Sequence, residues 1–246
     1  GSCAVSVSGQ VWCSGSPSGS TVPVRLAGFG GVQQVTLGTV HACLRQGDGT
    51  VWCWGNNGSH QLGDGSTTPS ATPLRVQGTS GFAINGVLGI DAGENHTCAL
   101  MDDHGVRCWG VNDWAQSGSA SNVVTSRATP VAGAGFVDHI AAGTNFTCVY
   151  SSESGNVRCW GLALDGSDVG SPSPQEAGPA SPVAVGAGSA MACVIDASAR
   201  VWCWGTGPMG NGNVNDIQPV PVQVGGLTGA VAVAGGQGHT CVLRST

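Results

Sequence analysis

The chain has 246 residues, a formal net charge of −6 and only 9% charged side chains, and all eight of its cationic side chains are arginines. No basic run occurs, and nucleic-acid binding requires a concentrated basic face, so this composition argues against a nucleic-acid partner. The 42 glycines and 12 prolines are hard to fit into long helices, and no apolar run is long enough to span a membrane as a helix.

One pattern recurs from end to end: His-x-Cys, about ten residues, and then Val-x-Cys-Trp-Gly. The copies, some of them degenerate, begin at Ser2, His41, His96, Phe146, Met191 and His239. A regular spacing of this kind indicates an array of structural repeats. We expect one propeller domain over residues 1–246, as part of a longer array, with repeats near 1–30, 31–80, 81–132, 133–182, 183–226 and 227–246.

Within each repeat, an apolar run that ends in glycine comes first, as in VQQVTLG at Val32, and a proline-led run comes last, as in PLRVQG at Pro73. Valine, isoleucine, leucine and tryptophan enrichment, with glycine, aspartate and asparagine between the runs, predicts short strands joined by turns. Four strands per repeat indicate an all-β fold, a β-propeller of about five to six four-stranded blades with one disulfide per blade. We expect the tryptophans of the Cys-Trp-Gly segments to fill the gaps between blades: Trp54, Trp109, Trp160 and Trp204.

The order Gly-x-x-His-x-Cys … Gly-x-Val-x-x-Trp-Gly-x-Asn … Gln-Leu-Gly resembles the repeat of the regulator of chromosome condensation family. The best copy runs from Gly38 to Gly65, and the resemblance extends over nearly the whole chain. It implies a propeller whose blades follow the repeats. The paired cysteines depart from the nuclear members, and the segment after Gly161 has lost the Asn and Gln-Leu-Gly positions. Because the chain has no concentrated basic face, the chromatin role of those members is not expected here.

Ten of the 11 cysteines fall into pairs about ten residues apart. The pairs are Cys3 with Cys13, Cys43 with Cys53, Cys98 with Cys108, Cys148 with Cys159, and Cys193 with Cys203. Opposite residues of a hairpin have Cα atoms about 4.5 Å apart, which suits a disulfide; the spacing does not suit structural zinc. Repeated disulfides predict an extracellular or cell-surface location. Cys241 has no partner in its own repeat, because the last unit lacks a Val-x-Cys-Trp-Gly strand.

Because the first unit also lacks its leading strand, we expect the two incomplete units to be completed from outside this segment, by further repeats or by another subunit. The alternative is a compact five-blade ring with a protruding tail.

No set of residues suggests catalysis, a metal site or a cofactor. His41, His96 and His239 share one repeat position and are expected to be structural, bonding to the backbone. The segment from Asn211 to Asp216 has too few carboxylates for calcium.

Candidate partner contacts lie in the loops that follow Cys-Trp-Gly: Trp114, Asn112 and His60. Candidate glycosylation sites are Asn57, Asn95 and Asn145, each in an Asn-x-Ser/Thr sequon.

The sequence thus predicts a non-enzymatic extracellular propeller that serves as a surface adhesion or structural assembly module. Its partner would be a protein or a surface glycan, and self-assembly through the incomplete terminal blades is a further option. One alternative is a secreted protein-binding or inhibitor propeller, similar to the second β-lactamase inhibitory protein. An inhibitor needs a dense aromatic patch, however, and the chain has only one tyrosine and four phenylalanines. Another alternative is a carbohydrate-binding module.

Overall fold

The structure is a computed structural model that describes residues 1–15, 19–119, 124–162, 164, 170–177, 181–207, 217–236 and 238–245. These residues form strands, turns and bends; the described part contains no α-helix, and hence none long and apolar enough to cross a membrane. The strands are β1 Ser2–Val5, β2 Val11–Gly15, β3 Ser20–Arg25, β4 Val32–Leu37, β5 His41–Gln46, β6 Val51–Gly55, β7 Ser70–Arg75, β8 Val87–Ala92, β9 His96–Met101, β10 Val106–Gly110, β11 Thr125–Pro130, β12 His139–Ala142, β13 Phe146–Ser151, β14 Asn156–Leu162, β15 Gly170–Ala177, β16 Pro182–Ala187, β17 Met191–Asp196, β18 Val201–Thr206, β19 Ile217–Gln223, β20 Ala230–Gly235 and β21 Thr240–Arg244.

The strands form antiparallel sheets, each made of strands that are consecutive in sequence. Four sheets have four strands, in the orders β4-β5-β6-β7, β8-β9-β10-β11, β12-β13-β14-β15 and β16-β17-β18-β19. The first sheet has the three strands β1-β2-β3, and the last is the hairpin β20-β21. Consecutive sheets pack against each other as blades, which confirms the predicted all-β propeller fold.

The predicted disulfides are all present, one within each of the first five sheets. Each joins residues directly opposite each other on the second and third strands of its repeat, with Cα atoms 4.1 Å apart. All 11 cysteines lie in the described residues, and Cys241 is a free and exposed thiol. Each bridge closes a loop of about ten residues and contributes roughly 2–3 kcal/mol by restricting the unfolded chain.

A bulge explains the Cys-Trp-Gly motif. The pairing of the third and fourth strands shifts register between Cys53 and Gly55, and it shifts at the equivalent place in the other blades. Gly110 has a φ of 104°, and a side chain there would collide with the carbonyl oxygen of Asn95. The glycine is needed at this bulge because the backbone adopts a conformation that L-residues rarely take up.

The tryptophan within the bulge is buried between two blades, as predicted. Trp54, Trp109, Trp160 and Trp204 are at most 3% exposed. Trp109 of the third blade packs with Cys43, Cys53 and Leu62 of the second blade. Since each blade covers the disulfide of the blade before it, the repeat order along the chain becomes the packing order in space.

Two faces of the propeller follow from the strand order. The upper face carries the turns between the first and second strands of each blade and the loops after the third strand, such as residues 56–69. The lower face carries the turns between the second and third strands and the connections between blades, such as residues 26–31, 76–86 and 131–138.

Candidate functional site

At the upper face, the turns between the first and second strands surround a cavity of about 530 Å³. Its lining is mostly glycine and alanine, and among the described lining residues Glu94 has the one charged side chain. The backbone amides of Thr39, Glu94, Thr144 and Ser189 each donate to a carbonyl in the next blade, over N···O distances of 3.1–3.4 Å. These bonds tie neighbouring blades together.

Two histidines lie directly behind this wall and are fully buried. The imidazole Nε2 of His41 lies 2.8 Å from the hydroxyl of Thr97, and that of His96 lies 2.9 Å from the hydroxyl of Thr147. The Thr147 hydroxyl donates its hydrogen to the Gln116 carbonyl, so it accepts a hydrogen bond from the Nε2–H group of His96. A structural role is thus supported for His41 and His96, but their partner is a hydroxyl of the next blade instead of the backbone; His239, predicted to share this role, is exposed.

Burial lowers the pKa of His41 to about 4, and burial together with the nearby His41 lowers the pKa of His96 to about 3. The Nδ1 atoms of both rings have no hydrogen-bond partner. A proton added at Nδ1 would therefore be buried without an acceptor, which favours the neutral ring. Both histidines are neutral at physiological pH.

Asp91 on β8 joins three blades. Its carboxylate accepts hydrogen bonds from the Thr36 hydroxyl at 2.9 Å, the Ala92 amide at 3.0 Å and the Ala142 amide at 2.8 Å. Burial raises the pKa of Asp91, although these three hydrogen bonds oppose that effect. The arrangement indicates a structural carboxyl, because all its partners are donors from the surrounding blades.

Two of the predicted binding or glycosylation residues are in fact internal. Asn112 is completely buried, and its amide donates to the hydroxyl of Ser119 at 2.6 Å, so its prediction as a partner contact was wrong. Asn57 is also completely buried and donates to Asp64 and Ser66, so a glycan on Asn57 is incompatible with this fold. Both asparagines shape the loop that follows the third strand of their blade.

Asn95 and Asn145 are partly buried, and their side-chain oxygens accept hydrogen bonds from Gln61 and Gln116 of the preceding blade. Their use as glycosylation sites stays a prediction.

Trp114 and His60 are partly exposed on the upper face. Trp114 is more exposed than the four buried tryptophans, as expected from its place outside the repeat pattern. His60 donates from Nδ1 to the carbonyl of Ser66 at 2.8 Å. The structure does not bring Trp114, Asn112 and His60 together into one exposed site, since Asn112 is buried.

The lower face carries an aromatic set that the sequence analysis missed. Phe29, Phe82 and Phe136 each lie in a connection between two blades, and Phe82 is 79% exposed. Phe136 is 38% exposed and stacks on His104, with ring centroids 3.7 Å apart. Three of the four phenylalanines thus lie on one face, and two of them, Phe82 and Phe136, are exposed there.

Arginines and tryptophans accompany these rings. Phe29 packs edge-on against Trp52, and the guanidinium of Arg75 lies 5.4 Å from the centroid of the same indole. Trp52 occupies the position just before the second cysteine of its repeat, where the third and fourth blades have Arg107 and Arg158. The sequence contains two signals for this aromatic set. One is the Gly-Phe pair that occurs in three connections, and the other is the Trp or Arg that precedes the second cysteine of each repeat.

Within the described residues, no three His, Cys, Asp or Glu side chains gather at metal-binding distance. The segment from Asn211 to Asp216, considered for calcium, lies outside those residues.

Comparisons with known proteins agree with this architecture. Models of the regulator of chromosome condensation (RCC1) repeat match residues 48–100, 198–243 and 32–61. Regulator of chromosome condensation repeats are therefore present in residues 32–100 and 198–243 of the chain. Repeats of this family generally act as protein-interaction modules. The repeats themselves generally carry no catalytic activity.

The chain is 35% identical over 91 residues to the X-linked retinitis pigmentosa GTPase regulator homolog of Caenorhabditis elegans, a match covering 36% of the chain but 6% of that protein. Prp20p of Saccharomyces cerevisiae superposes with a TM-score of 0.82 at 20% identity, over 98% of this chain and 65% of the yeast chain. The ectodomain of the Physcomitrella patens receptor kinase CR4 superposes with a TM-score of 0.61 at 22% identity. This match covers 99% of this chain and 56% of the receptor chain.

The chain thus spans only a small part of its curated relative and less than two thirds of either solved structure. The similarity to these two solved structures supports the fold alone.

Proposed function

We propose that this chain is a non-enzymatic extracellular propeller that binds a protein partner through its lower face, as an adhesion or assembly module of a cell surface. The observation that carries the proposal is the exposed Phe82 and Phe136 on one face of a scaffold braced by five disulfides. Exposed aromatic side chains on rigid elements are typical anchors of protein interfaces.

The disulfides support the extracellular part of the proposal. Bridges of this kind persist in oxidising compartments and are rare in the cytosol. The similar ectodomain of the moss receptor kinase is one case in which this architecture is found outside the cell. Prp20p is described as binding Gsp1p and histones, which illustrates protein binding by the same fold.

Rigidity supports the binding part of the proposal. The rings of the lower face stand on blade-to-blade connections whose backbone is held by hydrogen bonds. The Ile84 amide donates to the Val76 carbonyl within its own connection, and the Val137 amide donates to the His104 carbonyl in a turn of the preceding blade. Side chains held in place before binding lose less conformational entropy when a partner docks.

The proposal is tested with fluorescently labelled protein, produced with its disulfides intact, on the cells that produce it. We expect saturable binding by flow cytometry and a loss of at least about tenfold in affinity, roughly 1.4 kcal/mol, in the double variant Phe82→Ser/Phe136→Ser. Trp114→Ser is the matched control, because it removes an aromatic ring from the opposite face. Absence of saturable binding, or equal binding by the lower-face variant, would contradict the proposal.

A secreted inhibitor is the second candidate, because the exposed Phe82 and Phe136 would also serve as contacts to a soluble enzyme. It is distinguished by the location of the partner: the labelled protein would then bind a component of the medium and leave the cells unlabelled. Loss of cell binding after glycosidase treatment would instead identify a surface glycan as the ligand.

A further inference from the structure

The junction between the second and third blades has an open pocket on the lower face, with a volume of about 290 Å³. Its floor is formed by Ile84 and Met101, which are 5% and 6% exposed. Phe82 forms one wall, and Arg107 of β10 also lines the pocket. The space is large enough for one aliphatic or aromatic side chain together with a short stretch of backbone.

The wall that carries Phe82 is held in place by backbone pairing. Residues 76–86 fold back on themselves, with a bridge between Gln77 and Ala83 and an amide of Gly78 donating to the carbonyl of Phe82 at 2.8 Å. The Gln77 side chain also accepts a hydrogen bond from Arg127 of β11. The exposed ring of Phe82 is thus presented by an anchored segment.

Arg107 supplies a positive charge without a carboxylate partner. Among the described residues, the ion pairs are those of His104 with Asp138 and of Arg200 with Asp196. Among the described carboxylates, none lies within 4 Å of the Arg107 guanidinium, which lines the same pocket as Ile84 and Met101. A ligand that places a carboxylate here gains a charge-assisted hydrogen bond, which is stronger than a neutral one.

At the two neighbouring junctions, the phenylalanine rings pack against other side chains. Between the first and second blades, Phe29 packs against Trp52, and Arg75 lies over that indole while it donates to Asn85. Between the third and fourth blades, Phe136 is stacked on the His104 ring. Among the described junctions with a phenylalanine, the pocket at Phe82 is the one in which the apolar surface and the arginine are both available.

We propose that this pocket binds an extended peptide segment of a protein partner, with an aliphatic side chain on Ile84 and Met101 and an adjacent carboxylate on Arg107. This inference rests on the proposed function and specifies the partner chemistry for the same face. The choice of a peptide carboxylate follows from charge complementarity with Arg107 and from the apolar floor beside it.

The test uses methionine methyl groups as reporters. The chain has three methionines, so protein labelled with ¹³C at the methionine methyl gives three signals. Met101 lies in the pocket, whereas Met191 is buried in the fifth blade and serves as an internal control. The probes are acetylated, amidated tetrapeptides with Leu-Asp or Asp-Leu at their centre, since the direction of the bound segment is open.

We expect a saturable shift of the Met101 signal with at least one probe and no shift of Met191. Replacing Asp by Asn in that probe should weaken binding about tenfold, and replacing Leu by Ala should do the same. The Arg107→Gln variant should bind the Asp and Asn probes with equal affinity. Arg158→Gln, which removes the arginine at the same repeat position in the fourth blade, should behave as the unmodified protein.

An unmoved Met101 signal at about 10 mM of every probe, or equal affinity for the Asp and Asn probes in the unmodified protein, would overturn the inference. This failure is distinguishable from failure of the proposed function. Cell binding that requires Phe82 and Phe136 but is unaffected by Arg107→Gln would keep the lower face as a protein-binding surface and remove only the peptide chemistry assigned to this pocket.

Discussion

Acid should destabilise this propeller through its two buried histidines. An unfolded histidine has a pKa of 6.5, whereas burial lowers the pKa of His41 to about 4 and that of His96 to about 3. Below about pH 6.5 the unfolded chain therefore takes up two protons that the folded chain excludes, and unfolding becomes more favourable as the pH falls. The free energy of unfolding therefore decreases as the pH falls from about 6.5, until the buried imidazoles of the folded protein take up protons themselves near pH 4 and pH 3.

The magnitude follows from the pKa differences, at about 1.4 kcal/mol per unit. Between about pH 7 and about pH 5, each histidine removes roughly 2 kcal/mol from the free energy of unfolding, or about 4 kcal/mol together. That is a large part of the 5–15 kcal/mol typical of a folded domain. Asp91 contributes in the opposite direction, because burial raises its pKa and the folded carboxyl gains a proton more readily as the pH falls.

The assay is guanidinium unfolding at both pH values with the disulfides intact, followed by the fluorescence of the buried tryptophans. The double variant His41→Gln/His96→Gln keeps a donor toward each threonine but does not titrate in this range. It should lose most of the difference in unfolding free energy between the two pH values, and the contribution of Asp91 cancels in the comparison. If the variant keeps the full difference, burial of neutral histidines is not the cause of the acid sensitivity.

The remaining predictions concern the blade interfaces. Trp109→Ala should lower the free energy of unfolding by about 3–5 kcal/mol and Trp114→Ala by about 1 kcal/mol or less, because only the former leaves a cavity between blades; equal losses in denaturant titrations would contradict this. Replacing Cys98 and Cys108 by serine should cost about 2–3 kcal/mol in the same assay, and an unchanged midpoint would show that the bridge does not restrict the unfolded state. Thr147→Val should cost about 1–3 kcal/mol, because it leaves the imidazole of the preceding blade without its acceptor, and Thr147→Ser should restore most of that loss.

Much of the local structure could be predicted because the repeat occurs six times along the chain, in part as degenerate copies. A pairing such as Cys98 with Cys108 depends on hairpin register, which the spacing within one repeat determines. The burial of Trp109 and Trp160 was likewise predictable, since one blade cannot cover its own apolar faces. The propeller fold and its one disulfide per complete repeat rest on these local patterns.

The partners across blades could not be predicted in the same way. The sequence placed His96 beside its own cysteine, but only packing of consecutive blades brings Thr147 to its imidazole. Asn112 looked like a loop residue available to a partner, yet its side chain is buried in hydrogen bonds that shape the loop from within. Short polar residues in loops are used for turns as often as for contacts, and sequence position does not distinguish the two uses.

The sequence by itself determined the strand order, the disulfide pairs and the identity of the inter-blade tryptophans, because each depends on contacts within one repeat or on its regular repetition. Only the tertiary structure decided which surface could bind a partner. Phe29, Phe82 and Phe136 are each about 50 residues apart in the chain, and a single phenylalanine in a turn is unremarkable in sequence. The radial arrangement of blades places the three connections that carry these phenylalanines on one face, and at Phe82 it brings Arg107 of the next blade into the same pocket.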